Sequence, residues 1–600
     1  MIKSEEQLAI IEHAKNMQVG DILKIEASAG CAKSSSLVFV AEEVVVNSIC
    51  LVFNKVSQED ASRLFPEHVE CKTTHALAYR NTGVTISHKL TRPQGNYVNV
   101  LGTGNEIAKY FKLDAYEQDG IKLPPAYLGL LVKYTCNKFE QSAEDKITKD
   151  LLLGILKAKE IKEAHHKALS KLLLPCAKKL YELRSDPDSD VLATHDTYLK
   201  MYQLTKPQLG YEIIYSDESQ DANECVLDII LNQSGSKVIL VGDSDQAIYG
   251  WRGAINALRK VDGAVCTLST SYRYGQEIAD LAMKILDNDV TINSAPWLST
   301  VIGKDVVDKS KPYTVLYRTN EKLIVDAVDQ LARGVKINLE IDVRDFCNLL
   351  NSAIALYRGV MKYVKHEELL CYNNYEEFKE EAENDASFNR IVGMIESNTC
   401  WKVLKALKEH KNTTNPHITY TTAHKSKGRE WDQVELGEDY PRHYRNNKWV
   451  GLSKEEQNLL YVASTRAIKA LNINKTVGEI WFEQPRSSDL EINIKQISVL
   501  SAGGGKQIVF SKDTGGGEMA DMALEYAHQT SEDALAYLEG GMDCQDAYEA
   551  GIVDELGHHS FEGTDLSPTG EDMIAVSDYE STCRDLHVAE LELMSYTGRH

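Results

Sequence analysis

The apolar run Tyr211-Glu212-Ile213-Ile214-Tyr215-Ser216 leads directly into two adjacent carboxylates, Asp217 and Glu218, with Gln220 close behind. A strand that delivers neighbouring acids to its carboxyl end suits phosphoryl transfer to water: one acid sits on Mg²⁺ and the next on the attacking water. An Asp-Glu pair alone is more often a solvated turn, so its partners decide the matter. Upstream, Ile22–Glu26 reads as a strand, followed by Ala27-Ser28-Ala29-Gly30-Cys31-Ala32-Lys33-Ser34-Ser35 and a helical apolar run from Leu37 to Val46. This is the outline of a phosphate-binding loop. Backbone N–H groups at the helix start cradle phosphate oxygens, Lys33 reaches the β and γ groups, and the Ser34 hydroxyl helps Asp217 hold the metal. The loop is irregular, because Ala27 and Ala32 stand where the pattern has glycine. A methyl at position 32 either crowds the phosphate or demands a backbone that alanine disfavours; a plain small-residue turn is the alternative.

Further motifs follow in order. The segment Val238-Ile239-Leu240-Val241-Gly242-Asp243-Ser244-Asp245-Gln246 reads as a second buried strand that ends on Gln246, and Tyr249-Gly250-Trp251-Arg252 comes next. Then come Ser271-Tyr272-Arg273, Thr422-Ala423-His424-Lys425-Ser426-Lys427-Gly428-Arg429-Glu430-Trp431, and Leu459-Leu460-Tyr461-Val462-Ala463-Ser464-Thr465-Arg466-Ala467. The series resembles the UvrD/Rep family of superfamily 1A DNA helicases over residues 1 to 480. Leu51-Val52-Phe53-Asn54-Lys55, Cys71-Lys72-Thr73-Thr74-His75-Ala76 and Asn458-Leu459-Leu460-Tyr461 match the F-box DNA helicase branch in particular, and no F-box is expected within these residues.

The resemblance implies ATP and Mg²⁺ as cofactors and assigns roles. Ala29, Gly30, Cys31, Ala32, Lys33, Ser34 and Ser35 would line the triphosphate, and Gln7 would read the adenine edge through its amide. Tyr272 would stack on the base, and Glu430 would touch the ribose. Asp217 and Ser34 would hold the metal, Glu218 would act as general base, and Gln246 would sense the γ-phosphate. Arg273 and Arg466 would reach that phosphate, a role worth roughly 10³ to 10⁵ in rate. Outside these motifs, an aromatic such as Tyr272 would be an ordinary core residue and either arginine a surface one. Cys31 is the thiol whose modification should matter most.

The expected partner is single-stranded DNA, including junctions with duplex. Phe53, His75, Tyr249 and Trp251 offer flat faces on which bases stack, a sequence-tolerant grip of about 1 to 3 kcal/mol per base. Asn54, Lys55, Thr74, Arg252 and Lys425 are candidates for backbone contacts, and His424 for coupling DNA to the ATP cleft.

A net charge of -23 looks hostile to nucleic acid. Residues 513–600 carry 21 acids against only Arg584 and Arg599, a charge of -19 that leaves -4 for residues 1–512. A local basic channel is therefore allowed. No run approaches eighteen uninterrupted apolar residues, and Met1–Glu6 lacks a signal-peptide core. Twelve cysteines are scattered with no Cys-x-x-Cys pair, which excludes a zinc ribbon and points to a reduced compartment. A cytoplasmic protein is expected, nucleoid-associated in a bacterium or in host cytoplasm if phage-encoded, and a monomer or weak oligomer, with no membrane.

The alternating strands and helices read as α/β, and the resemblance implies two RecA-like halves with parallel sheets and helical insertions. Residues 1–85 and 186–265 are expected to form the first half and 86–185 its helical insertion, DNA-related or purely regulatory. Residues 266–361 and 416–485 form the second half, with 362–415 a reduced second insertion. Residues 486–600 are an acidic extension jointed by Gly503–Gly505 and Gly515–Gly517; it is either a solvated segment or an arm that docks a protein partner or competes with DNA. The expected activity is ATP-driven translocation on single-stranded DNA with helicase action, in replication, repair or recombination, and the resemblance alone implies 3′ to 5′ movement. Alternatives are a translocase that strips proteins and unwinds weakly, and an inactive DNA-binding scaffold, for which Ala32 is the argument.

Overall fold

Residues 48–52, 213–216 and 237–242 are almost wholly apolar, and a strand with no polar face must be covered on both sides. The computed structural model describes residues 3–90, 101–250, 253–287, 290–383, 385–445 and 448–482. In it these runs are the interior of a six-stranded, wholly parallel sheet. Its strands are β1 (Ile22–Ala27), β2 (Ser48–Val52), β3 (Val69–Thr73), β4 (Ile213–Ser216), β5 (Lys237–Gly242) and β6 (Ala264–Leu268), in the order β3-β2-β4-β5-β1-β6. Strands β2 and β4 are buried at every position, whereas the edge strand β6 buries only Leu268.

Alternate residues feed two cores. Ile213 and Ile239 pack with Leu37 and Val40 of the helix Lys33–Glu43 and with Ile10 of the helix Glu5–Asn16. Ile214 and Leu240 point the other way, to Leu199, Leu227 and Ile230. A parallel sheet needs long crossovers, which place helices on both faces and bring the loops after β4, β5 and β1 together at one carboxyl edge.

A second parallel sheet comprises β7 (Val301–Gly303), β8 (Tyr313–Tyr317), β9 (Ile337–Leu339), β10 (Ile418–Thr422), β11 (Trp431–Leu436) and β12 (Ala467–Asn472), in the order β7-β12-β11-β8-β10-β9. The two sheets are the RecA-like halves of the expected α/β fold. Ile337, Ile418 and Tyr420 share one core with Phe378, Val392 and Leu407 of the short helices between residues 375 and 409. On the opposite face Leu316, Val434 and Leu471 pack with Leu460 of the helix Lys454–Ser464, and Ala29 and Ile248 from the first sheet's loops are buried in the same cluster.

Residues 101–185 form four helices and a short antiparallel pair, Tyr116–Gln118 with Ile121–Leu123. Arg184 and Glu140, 2% and 0% exposed, form an ion pair at 3.0 Å in their core, and Glu140 also accepts from Thr194 and Thr197. Among the described residues no helix is long and apolar enough to cross a membrane. The acidic extension, with Trp251 and Arg252, lies outside the described residues.

Candidate active site and nucleic-acid interface

The turn after β1 is shaped by backbone conformation. Gly30 has φ +80, and a Cβ there would stand 2.5 Å from Ser271 Oγ and 2.9 Å from Arg273 Cβ, so only glycine fits. Ala32 adopts the left-handed region, φ 54 and ψ 41, and starts the helix Lys33–Glu43 without any side-chain cap. The irregular residue thus keeps the backbone of the glycine pattern at the cost of strain. The first N–H groups of this helix have no intrahelical acceptor. Cys31 is 2% exposed and burial pushes its thiol pKa up, so it is a protonated, shielded thiol rather than a reactive one.

Asp217 and Glu218 follow β4 directly. The Asp217 N–H donates to the Leu51 carbonyl at 3.0 Å, which prolongs the ladder by one residue, and Glu218 then turns left-handed at φ 51. Ser34 Oγ donates to Asp217 Oδ2 at 2.9 Å, and Lys33 Nζ lies 3.5 Å from Glu218 Oε1. Burial opposes the charge on Lys33, but Glu218, Asp243 and Asp217 outweigh it and raise the ammonium above its ordinary range. Burial likewise opposes ionisation of Glu218, yet Lys33, Lys427 and a bond from Gln220 hold its carboxyl at about 2. Asp217 moves the other way, raised by burial and by the neighbouring Glu218.

Gln246 follows β5 and donates to Asp243 Oδ2 at 2.8 Å. Arg273 donates to Glu430 Oε2 at 2.6 Å. Arg466 is 1% exposed, and its guanidinium donates to the Val462 and Arg429 carbonyls and to Thr465 Oγ1. Burial first, then the like charge of Arg273, lowers its pKa to about 9. A buried guanidinium bonded to neutral oxygens is a ready partner for an anion.

A cavity of about 710 Å³ brings together Gly30–Ser35, Asp217, Glu218, Gln246, Tyr272, Arg273, Glu430 and Arg466. Two expected nucleotide residues stand apart from it. Gln7 is 5% exposed, and its amide accepts from Ser4 N–H at 3.0 Å and donates to Ser36 Oγ at 3.1 Å. Ala29 is fully buried, and its N–H donates to Tyr461 Oη at 2.8 Å.

Among the expected DNA residues, Phe53 and Tyr249 stack with centroids 6.1 Å apart and planes within 7°, and Tyr249 Oη donates to the His424 carbonyl at 3.0 Å. Phe53 is 45% exposed. His75 sits against the Tyr198 ring, 3.4 Å from Asp196 Oδ1. Lys55 and Lys425 are exposed, while Thr74 is buried at the start of the helix Thr74–Asn81. Asn54 caps the helix Lys55–Leu64, its Oδ1 accepting from Ser57 N–H at 2.9 Å.

Three residues with work in the cleft received no role from the sequence. Tyr461 Oη bridges Ala29 N–H and Asp243 Oδ2, the latter at 2.9 Å. Asp243, its carboxyl raised by burial, joins Tyr461 to Gln246. Gln220 bonds Glu218 and accepts from Asp243 N–H at 3.1 Å. Only Tyr461 carried a signal, a hydroxyl inside the apolar run Leu459–Ala463; Asp243 and Gln220 stand among other polar residues that mask them.

A parallel sheet that brings the turn after β1, an acid pair and a glutamine to one cleft, joined there by a buried arginine directly before a strand of the second parallel sheet, has the architecture of a P-loop fold. The chain belongs to the UvrD-like helicase family: the UvrD/REP helicase N-terminal domain matches residues 13–260 and the UvrD-like helicase C-terminal domain residues 357–478. It is 29% identical over 526 residues to F-box DNA helicase protein 1 of Schizosaccharomyces pombe, covering 80% of this chain and 58% of that protein. It is 28% identical over 526 residues to F-box DNA helicase 1 of Gallus gallus, covering 79% and 49% respectively. Over 240 residues it is 26% identical to the ATP-dependent DNA helicase PcrA of Leuconostoc citreum, covering 37% of this chain and 31% of that protein. The chain thus spans about half the length of the two F-box helicases.

Proposed function

We propose that this chain hydrolyses ATP with Mg²⁺ to translocate 3′ to 5′ on single-stranded DNA and to separate strands, in replication, repair or recombination. The observation that carries the proposal is the meeting, in one cavity, of Lys33, Asp217, Glu218 and Gln246 with Arg273 and Arg466.

The donor set fits the metal. Ser34 Oγ and Asp217 Oδ2 converge at 2.9 Å, and hard oxygens of this kind suit Mg²⁺ completed by phosphate oxygens and water. When bound, the ion supplies positive charge to the β and γ oxygens. The uncapped helix start and Lys33 bind the phosphates, and Glu218, kept ionised by Lys33, takes the proton of the attacking water. Arg273 and Arg466 stabilise charge that develops on the transferred group. Tyr272, 43% exposed, stacks on the base, Glu430 contacts the ribose, and Gln7 reaches the adenine edge once its amide leaves Ser36. Phe53, Tyr249, His75, Trp251 and Arg252 grip the strand with Asn54, Lys55 and Lys425, while the buried Thr74 only starts the helix that carries His75, and His424 reports that grip to the cleft through Tyr249.

Residues 1–85 with 186–265 and 266–361 with 416–485 are the two moving halves in this reading. A second reading, a translocase that removes proteins from DNA and unwinds weakly, is favoured by the short helices at 375–409, which are absorbed into the core of the second sheet. The test is steady-state ATP hydrolysis with and without single-stranded DNA, for the wild-type chain and for Glu218→Gln. Stimulation that disappears in the variant supports the motor; equal background in both overturns it. Strand displacement then separates the two readings.

A further inference from the structure

Two thiols face each other at one end of the first sheet. Cys50 is the middle residue of β2 and Cys71 the middle residue of β3, and the parallel register sets them directly side by side. Neighbouring strands run about 4.8 Å apart, inside the Cα separation of roughly 4.4 to 6.8 Å that a disulfide spans. Both side chains enter the core that also holds Ala61 and Phe65, so they lie on one face of the sheet. Both are free thiols, and a bond between them needs no movement of either strand.

Position and bonding set this pair apart from ordinary core cysteines. Cys50 is 1% exposed, yet it lines the cavity of about 710 Å³ together with Ala61 and Phe65, so a small solute in the cleft reaches the pair. Cys71 lies on β3, the last strand on its side of the sheet, and accepts a hydrogen bond from the Cys50 thiol. That bond, aided by one from Ser62, outweighs burial and lowers the pKa of Cys71. A thiol eased toward thiolate beside a second thiol is the arrangement that favours oxidation followed by resolution.

We infer that Cys50 and Cys71 are a site of oxidative modification: a hydroperoxide converts Cys71 to a sulfenic acid, and Cys50 closes it to a disulfide between β2 and β3. The Cys71 sulfur attacks one peroxide oxygen, the O–O bond breaks, and the other oxygen leaves with the thiol proton, as water when the oxidant is hydrogen peroxide. The Cys50 sulfur then attacks the Cys71 sulfur; the S–O bond breaks and a second water leaves with the Cys50 proton. The two thiols lose two electrons and two protons, and the peroxide takes up both. A thiol reductant reverses the bond by exchange. Strand β2 runs into Phe53 and β3 into Thr74 and His75, so the bond ties together two strands that carry candidate DNA contacts. This chemistry does not depend on the ATPase reading.

The experiment treats the folded full chain with hydrogen peroxide at doses that oxidise the half-exposed Cys176. Catalase then removes the peroxide, the remaining thiols are alkylated on unfolding, and peptides are mapped by mass without reduction. The peptides carrying Cys50 and Cys71 should lose both alkylations and appear joined, two hydrogens lighter than their sum, and dithiothreitol should separate them. In Cys50→Ser, Cys71 should stop at the sulfenic acid and be trapped by dimedone. In Cys71→Ser, Cys50 should remain open to alkylation. Full alkylation of both residues in the wild-type chain while Cys176 is oxidised overturns the inference, as does a link that forms only when peroxide is added in urea. A dimedone adduct on Cys50 in Cys71→Ser, with none on Cys71 in Cys50→Ser, overturns it as well. Should either serine variant fail to fold, the wild-type peptide map alone decides.

Discussion

Replacing Ala32 by glycine should stabilise the phosphate loop. Ala32 sits at φ 54 and ψ 41, where a Cβ crowds the following carbonyl. That conformation costs a residue other than glycine about 1 to 2 kcal/mol. Glycine removes the clash but frees the unfolded chain, which takes back roughly 0.4 to 1 kcal/mol. The net gain is about 1 kcal/mol, local to the turn between β1 and the helix Lys33–Glu43. A chain with two sheets need not unfold in one step, so a single melting temperature would blur this difference. Native-state hydrogen exchange at the amides of residues 33–43 reads it where it arises, as protection increased roughly fivefold. Nucleotide affinity should stay within a factor of about two, because the strain is relieved equally in the empty and the filled loop. Decreased protection in Ala32→Gly would refute the reasoning, since it would mean that position 32 does not hold the left-handed conformation. Tighter nucleotide binding with unchanged protection would refute it differently, by showing that the strain exists only in the filled loop.

Tyr461→Phe deletes the hydroxyl that serves Ala29 N–H and Asp243 Oδ2 inside the cleft. Leaving those buried groups short of a partner costs about 1 to 3 kcal/mol, which should appear as lower stability in urea unfolding, with single-stranded DNA binding unchanged. Glu140→Gln leaves the Arg184 guanidinium buried beside a neutral amide; the loss of about 3 to 5 kcal/mol should appear in urea unfolding followed by limited proteolysis of residues 101–185, and Glu140→Leu combined with Arg184→Met should be milder. His443 is 4% exposed, and burial lowers its pKa below the ordinary 6.5. The unfolded chain then binds the extra proton first, so stability should fall as pH drops through 6.5 toward the depressed folded value; in urea titrations His443→Phe should flatten that slope, and a slope unchanged by the substitution would exclude His443 as its source.

Much of this fold could be read from residues because its logic is local. Apolar runs such as Ile213–Ser216 and Lys237–Gly242 can only be interior strands, and the polar residues at their ends, Asp217, Glu218 and Gln246, must then emerge at the carboxyl edge of a sheet. What could not be read is adjacency. Strand β5 lies between β4 and β1, and this neighbourhood alone brings Asp243 close to the phosphate loop. Tyr461 reaches Ala29 across 432 residues of sequence, and Lys427 reaches Asp221 across 206. Side-chain commitments were hidden for the same reason. The amide of Gln7 has the chemistry to read adenine, but Ser36, 29 residues away, holds it in this structure. Asn54 is the opposite case, because an Asn directly before a helix is a visible cap signal. Its Oδ1 is taken by Ser57 N–H, so only the Nδ2 group is left to meet a nucleic-acid backbone, as a donor to phosphate. The motif therefore tells which residues gather, while the packing between the two sheets decides which of their atoms remain available for chemistry.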